Sequence, residues 1–431
     1  MSETLRIGVA GLGTVGAGTL RLLQTHYEMI SQRGGRPLLV TAVSARDRRK
    51  DRGVDLSGVR WFEDPVALAR DPDVDVLIEL IGGSEGTAKD AVEAALANGK
   101  HVITANKAMI AHHGTALARQ AEASGVVLAC EAAVCGGIPV LKGIREGLAG
   151  NAIEGLHGIL NGTSNFILSD MRGSGREFGE VLAEAQALGY AEADPAFDVD
   201  GIDAAHKLAI LTALAYNCEV DYDGIYLEGI REVTAVDIAF AEELGYRIKL
   251  LGITFRTDGG VAQRVHPCMV RADAPIANVD GVDNAVVATG DFVGTTVFEG
   301  QGAGAGPTAS AVVADLVDIA RGAHLPTFSV AASALDKLPS RPMSERHGSY
   351  YLRLMCRDRP GVLTDITAAL RDQDISVESM VQRGRGPRGE AVPIVITTHE
   401  TRESAMRLAL NAIDDLDAVM EAPRVIRIED L

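Results

Sequence analysis

The sequence predicts an α/β protein: a doubly wound parallel sheet, then an α+β domain, then a small βαββαβ module. Three observations carry this reading. Over the first 130 or so residues, short apolar runs alternate with helical patterns; from about Ile138 longer strand-rich segments take over; and the last 80 or so read strand, helix, strand, strand, helix, strand. A chain of 431 residues with 47% hydrophobic content can build two or three cores.

The opening run alternates "LRIGVAG", a helix from about Gly13, "LLVTAVS", "VDVLIELIGG", a helix from about Thr87, "HVITANK", a further helix and "VVLACEA". This sets residues 1–137 as the first domain. The second, 138–304, holds "IEGLHGIL", "RIKLLGITFR", "AVVATG" and "TTVFEG", mixed with helices. Residues 305–330, with the helix "TASAVVADLVDIARG", are expected to pack back onto the first domain. The two prolines and alternating charges of 331–347 mark a linker. Residues 348–431 form the βαββαβ module, whose edges or second face are left for a partner copy, so a homo-oligomer, dimer or tetramer, is expected.

Bulk properties narrow the function. A net charge of −18 disfavours nucleic acid, whose binding draws on clustered Lys and Arg. The five cysteines are sparse and never spaced as CxxC, so free thiols are expected rather than disulfides or a zinc site. No apolar run approaches the roughly 18 residues that span a bilayer, and the N-terminus enters a strand without an export-type segment. A cytoplasmic protein acting on small polar ligands, with no membrane or nucleic-acid partner, is the expectation.

"GLGTVG", Gly11 to Gly16, satisfies GxGxxG between a strand and a helix. The first glycine allows the tight turn, the second lets pyrophosphate approach, and the third allows close helix packing. Gly11, Gly13, Thr14, Val15 and Gly16 are therefore candidate cofactor contacts. After the second strand comes "SARDRRK", with Arg46 first among its cations. Arginine here suits a ribose 2′-phosphate, so NADP(H) is favoured, while Asp47 leaves NAD(H) open. "ITANK" closes another strand and puts Thr104 and Lys107 at the sheet's carboxyl edge, where ligands of such folds bind.

The stretch "GYAEADPAFDVDGIDAAHK" runs into "LAILTALA". On a helix from about Gly201, Asp203 and Lys207 share a stripe with Ile210 and Leu214, and the other faces are apolar as well. Lys207 then points into the interior or a cleft, where an ammonium needs a partner, and Asp203 is four residues away. The alternative is an exposed pair worth about 0.3–0.5 kcal/mol. The buried continuation of the stripe and the upstream acids Glu192, Asp194, Asp198 and Asp200 favour a cleft that binds a ligand amine.

From Ala185 to Lys207 the residues resemble the signature of the homoserine dehydrogenase family, as do "GLGTVG", "TANKA", "EAAVCGGIPV", "LNGTSNFIL" and "GQGAGAGPTASAVVADL". The tail, with "RDRPGVLTDI", is similar to an ACT domain, of ferredoxin-like topology, and the first domain to a Rossmann-type fold. No kinase-like segment precedes Met1, so a monofunctional bacterial-type enzyme is expected. The resemblance implies reversible NAD(P)H-dependent reduction of L-aspartate 4-semialdehyde to L-homoserine, on the route to threonine and methionine. It implies that Lys207 gives the proton, Asp203 orients and tunes it, and Lys107 touches both substrate and cofactor.

By the same resemblance Glu192 holds the substrate's α-amino group, and Asp198, Gly162 and Thr163 line the substrate pocket. Thr104, Gly302 and Gly304 meet the cofactor. Glu131, with carbonyls near Val134, Gly136 and Ile138, binds a monovalent cation, Na+ or K+. Cys135 stands where a smaller residue is expected, and Phe197 where some relatives have an acid. Asp358 and Gly361 mark the ACT turn where an effector amino acid, threonine first among them, would sit. Two rivals are an oxidoreductase for another small amino-acid aldehyde or ketone and a sensor without turnover; the full set Lys207, Asp203, Glu192 and Lys107 argues against the latter.

Overall fold

In the computed structural model, residues 3–383 and 391–431 are described. The glycine- and arginine-rich loop expected between the second and third strands of the tail falls largely outside them. Six parallel strands form the first sheet, in the order Arg60–Phe62, Leu38–Ser44, Leu5–Ala10, Val76–Glu79, His101–Thr104, Leu128–Ala129. The order reverses beside Leu5–Ala10, and a crevice opens at such a switch point outside the carboxyl ends of the strands. Strand Arg60–Phe62 and helix Pro65–Arg70 escaped the sequence pattern because they are short. Their start signal was present: Asp64 caps the amides of Val66 and Ala67, with Pro65 in the first turn.

Helix Ala305–Ala320 packs against helix Thr14–Thr25 and shares the core of the first domain through Val312, Leu316 and Ile319. Gly18 permits the approach: a Cβ there would lie 2.8 Å from the Ala305 carbonyl oxygen. Both helices thus begin close together, at the crevice.

The second sheet runs through two domains. Gly294–Gln301, Asp283–Gly290, Ile153–Ile159, the hairpin Tyr246–Thr257 with Gly260–Arg271, and then the tail strands Arg424–Glu429, Tyr350–Arg357, Ala391–Thr398 and Val377–Gln382 follow one another. Helices Val362–Arg371 and Glu403–Asp414 complete the βαββαβ module. One edge of that module, expected from sequence to be free, pairs in parallel with the second domain, Cys268 opposite Arg427 and Val270 opposite Glu429. Arg427 is buried at the junction, between Glu228 at 2.7 Å and Glu403 at 2.6 Å. Arg353 likewise reaches Asp237, the residue that closes the capping box of helix Ala235–Glu243. The strand Val377–Gln382 carries the module's open edge.

Residues 331–347 are a docked strap rather than a loose tether. They bridge to Cys218 and Val261, and bury Ala332, Met343 and Arg346. All five cysteines are free and buried. No helix among the described residues is long and apolar enough to cross a membrane.

Candidate active site

The glycines of the first turn divide their labour. A Cβ on Gly11, whose φ is 96°, would sit 2.4 Å from the Leu80 carbonyl oxygen, and one on Gly16 would sit 2.0 Å from that of Gly11. Both are required for packing. Gly13 faces open space, with nothing within 4 Å. Helix Thr14–Thr25 starts there with no side-chain cap and no acid in its first turn, so its first amides are left for an anion. Helix Ala305–Ala320 also starts uncapped, on Gly304 at φ 113°. A pyrophosphate fits this cradle.

At the end of strand Leu38–Ser44, Arg46 and Arg48 are exposed and have no polar partner among the described residues. Asp47 is occupied by its own turn, accepting the Arg49 amide at 2.8 Å. Arg52, which sequence reading passed over, braces the glycine loop by donating to the Leu12 carbonyl at 3.1 Å, its guanidinium 5.5 Å from the Trp61 ring centre. The Thr104 hydroxyl points inward: it donates to buried Glu79 at 2.5 Å and accepts the Asn106 amide at 2.9 Å. Glu79 in turn accepts the amides of Ile81 and Gly82. Thr104 therefore shapes the strand end, and its side chain has little left for a cofactor.

Helix Ile202–Tyr216 is buried almost throughout. Gly201, at φ 84°, allows the entry: a Cβ there would lie 3.0 Å from Leu227 and from Val265. Asp203 is 4% and Lys207 7% exposed, so the spacing did report an interior pair. The Lys207 ammonium donates to Asp203 Oδ2 at 2.7 Å and to the Leu160 carbonyl at 2.6 Å. Two of its three protons are thus directed. Asp203 uses its other oxygen on Lys107 Nζ at 3.0 Å, which joins the carboxyl edge of the parallel sheet to helix Ile202–Tyr216. Asn161 donates to Asp203 and to Asp198, both at 2.8 Å, and caps helix Gly162–Ser174 through Ser164.

Burial alone would make Lys207 a weaker base, but Asp203 outweighs it and holds the ammonium above the usual lysine pKa. Burial likewise opposes the Asp203 carboxylate, yet Lys207 and Lys107 depress its pKa strongly. Asp198 goes the other way: burial raises it.

The upstream acids are less of a crowd than their sequence suggests. Asp200 pairs with Arg231, and Asp194 accepts the Ala196 amide at 3.1 Å. Glu192 is exposed, and its carboxylate has no partner among the described residues. The structure does not bring Glu192 into the Lys207 network. The Thr163 hydroxyl donates to the Tyr190 carbonyl at 2.8 Å, fixing the chain just ahead of Glu192. Gly162 is needed because a Cβ would meet the Val282 carbonyl at 2.4 Å. Phe197 lies under Lys107, its ring centre 5.4 Å from Nζ, which gives the cation a π-face where an acid was expected.

The loop from Glu131 to Ile138 packs behind the site. Cys135 and Gly136 take left-handed φ values of 53° and 44°, which explains why a smaller residue suits position 135. Gly136 faces the Gly302 carbonyl, 2.5 Å from where its Cβ would be. The Glu131 carboxylate accepts the amides of Leu141 and Lys142 at 3.0 and 2.8 Å, and burial, then Asp315, raises its pKa to about 7. The Ile138 carbonyl accepts the Val140 amide. The carbonyls of Val134 and Gly136 accept no hydrogen bond among the described residues, which suits a hard cation. In the tail, Asp358 is exposed and has no side-chain partner among the described residues, and Gly361 opens helix Val362–Arg371 at φ 96°.

Family models match three segments: "Homoserine dehydrogenase, NAD binding domain" over 11–131, "Homoserine dehydrogenase" over 139–317, and "ACT domain" over 350–418. Homoserine dehydrogenases of Pseudomonas aeruginosa and Neisseria gonorrhoeae are 46% and 47% identical, over 100% of this chain and 100% and 99% of theirs. The crystal structure of a homoserine dehydrogenase from Thiobacillus denitrificans, 47% identical, superposes with a TM-score of 0.94 over 99% of each chain. With a dinucleotide-binding sheet, a lysine–aspartate pair buried beside its carboxyl edge and a βαββαβ tail, the chain belongs to the homoserine dehydrogenase family, NAD(P)-linked oxidoreductases, here carrying an ACT domain.

Proposed function

We propose that the protein reversibly reduces L-aspartate 4-semialdehyde to L-homoserine with NADP(H), and that Lys207 carries the proton. The observation behind this is a buried ammonium with two protons held by Asp203 and Leu160 and the third without a partner among the described residues. Bound NADPH supplies the hydride. Gly13 and the open amides after it fit the pyrophosphate, and Arg46 and Arg48 fit the 2′-phosphate. A hyperthermophilic archaeal homoserine dehydrogenase, 26% identical and with a TM-score of 0.63 over 73% of this chain, is known in complex with NADPH. That relative thus accommodates a ribose 2′-phosphate.

As an ammonium, Lys207 stabilises the developing alkoxide and then protonates it. Asp203 keeps it charged and aimed. Lys107, partly exposed and tied to Asp203, stands between the two ligand sites and orients the substrate. Glu192 and Asp198 are assigned to the substrate's ammonium, Glu192 because its carboxylate is unpaired and Thr163 steadies the chain before it. Gly304, with only Pro307 near its Cβ position, lets backbone approach the cofactor, while Gly162 and Gly302 line the pocket with their Cβ positions given up to the Val282 carbonyl and the Asn284 amide.

A monovalent cation is assigned to the carbonyls of Val134, Gly136 and Ile138, where it would brace the loop behind the site. Glu131 supports that loop through the amides of Leu141 and Lys142, which its carboxylate accepts. Threonine is assigned to the turn at Asp358 and Gly361, as inhibitor, in a homo-oligomer that pairs ACT modules.

The test is an assay of the purified protein with homoserine and either NADP+ or NAD+, followed by absorbance of the reduced nicotinamide. Turnover with homoserine, at a lower KM for NADP+, is expected. Turnover only with other amino-acid alcohols, or none, contradicts the reading.

A further inference from the structure

Asn284 belongs to none of the motifs above, yet it sits within the Lys207 network. It is the second residue of strand Asp283–Gly290 and is 1% exposed. Its Nδ2 donates to the Leu160 carbonyl at 3.0 Å, the same oxygen that accepts Lys207 at 2.6 Å. The Cys135 sulfur lies 3.6 Å from that nitrogen. Turning the amide over would set Oδ1 against the Leu160 oxygen, so the orientation follows from chemistry.

The other end of the amide is unusual. Asn284 Oδ1 is buried and has no hydrogen-bond partner among the described residues. Glycines surround the group: a Cβ on Gly302 would come within 2.2 Å of Asn284 Cγ, and one on Gly162 within 3.4 Å of Oδ1. A side chain at position 302 would therefore displace the amide. A buried acceptor without a donor, beside a Leu160 carbonyl and an Asp203 carboxylate that are both paired, calls for an explanation. A bound ligand supplies one.

We propose that Asn284 is a positioning residue for the proton transfer: it pins the Leu160 carbonyl so that the third N–H of Lys207 faces the reacting oxygen, while Oδ1 accepts a donor from the bound ligands. The proposal rests on the reading of Lys207 as the proton carrier. Two consequences follow from the geometry. Loss of the amide lets the Leu160 carbonyl and the ammonium drift, which lowers turnover more than binding. A carboxylate in its place repels the Leu160 oxygen and adds negative charge beside Lys207.

The other titratable groups around Lys207 are Asp203 and His206 on its own helix, Asp198 on the short helix Ala196–Val199, Lys107 across Asp203, and Cys135 on the loop from Glu131 to Ile138. They are the same in the variants.

The experiment compares Asn284→Asp, Asn284→Ala and Lys207→Ala with wild type in homoserine oxidation, with cofactor titration to establish that each is folded. For Asn284→Asp, kcat falls about 100-fold while KM for homoserine stays within about 3-fold. The pH at which its kcat reaches half-maximum rises by roughly half a unit or more. For Asn284→Ala, kcat falls about 10-fold at nearly unchanged cofactor affinity. Wild-type kcat and an unmoved pH dependence in folded Asn284→Asp overturn the proposal, and wild-type kcat in Asn284→Ala does so if the first variant fails to fold. Unchanged turnover in Lys207→Ala instead overturns the reading of the site itself.

Discussion

A lysine that sits beside a carboxylate in a dry cleft can give up a proton only against the pull of its partner. Asp203 raises the Lys207 pKa despite burial, so the ammonium persists throughout the neutral range. The two directions of the reaction then differ in pH dependence. Reduction needs the protonated form and should be flat from pH 6 to 9. Oxidation needs the free amine and should climb about tenfold per pH unit toward the raised pKa, until another step limits it. Rate profiles in both directions check this; an oxidation rate that levels off at pH 7 would mean that Lys207 is not the group titrating. The Lys207–Asp203 pair was legible in sequence because its i, i+4 spacing lies on a helix apolar on every side. Asn161 left only a capping signal and Asn284 none, because each reaches the site across a tertiary contact. The acidic stretch misled in part: Asp200 and Asp194 answer to Arg231 and to a local turn.

At the level of single elements, the two ends of one glycine motif should respond oppositely to mutation. Gly13→Ala adds a methyl to open space at a φ of −77°, so the melting temperature should hold within about 2 °C while cofactor Kd rises at least about tenfold. Gly16→Ala meets the Gly11 carbonyl and should cost about 2–4 kcal/mol of stability. Calorimetry with cofactor titration separates the two.

The loop from Glu131 to Ile138 makes a second case. Glu131 has a folded pKa near 7, above its ordinary 4.5. Its contribution to stability is present below the ordinary value and is lost as pH rises through about 7, by about 3 kcal/mol. Glu131→Gln should therefore gain on wild type from pH 5 to pH 8 in thermal melts; a constant offset would contradict the raised pKa. The alternation of strands and helices was readable from apolar periodicity. The strand Arg60–Phe62 was not, since three residues carry no period.

For the whole molecule, the unexpected feature is the sheet that continues from the hairpin Tyr246–Thr257 and Gly260–Arg271 into the tail. Pairing between Cys268–Val270 and Arg427–Glu429 depends on the three-dimensional course of two segments far apart in sequence, so local pattern could not announce it. The strap 331–347 looked like a linker because prolines and charges break periodicity, yet a segment without period can still be packed. Arg427 clamps the junction, and its removal strands Glu228 and Glu403 together. Arg427→Ala should cost about 3–5 kcal/mol and split one calorimetric transition into two. A single unshifted transition would show that the ACT module is held otherwise.

The proton assignment ties these scales together, and Lys207→Ala tests it most directly. Homoserine oxidation with NADP+ at pH 9 should fall by about a thousandfold, with NADP+ affinity within about twofold of wild type. A variant that turns over at the wild-type rate would contradict it.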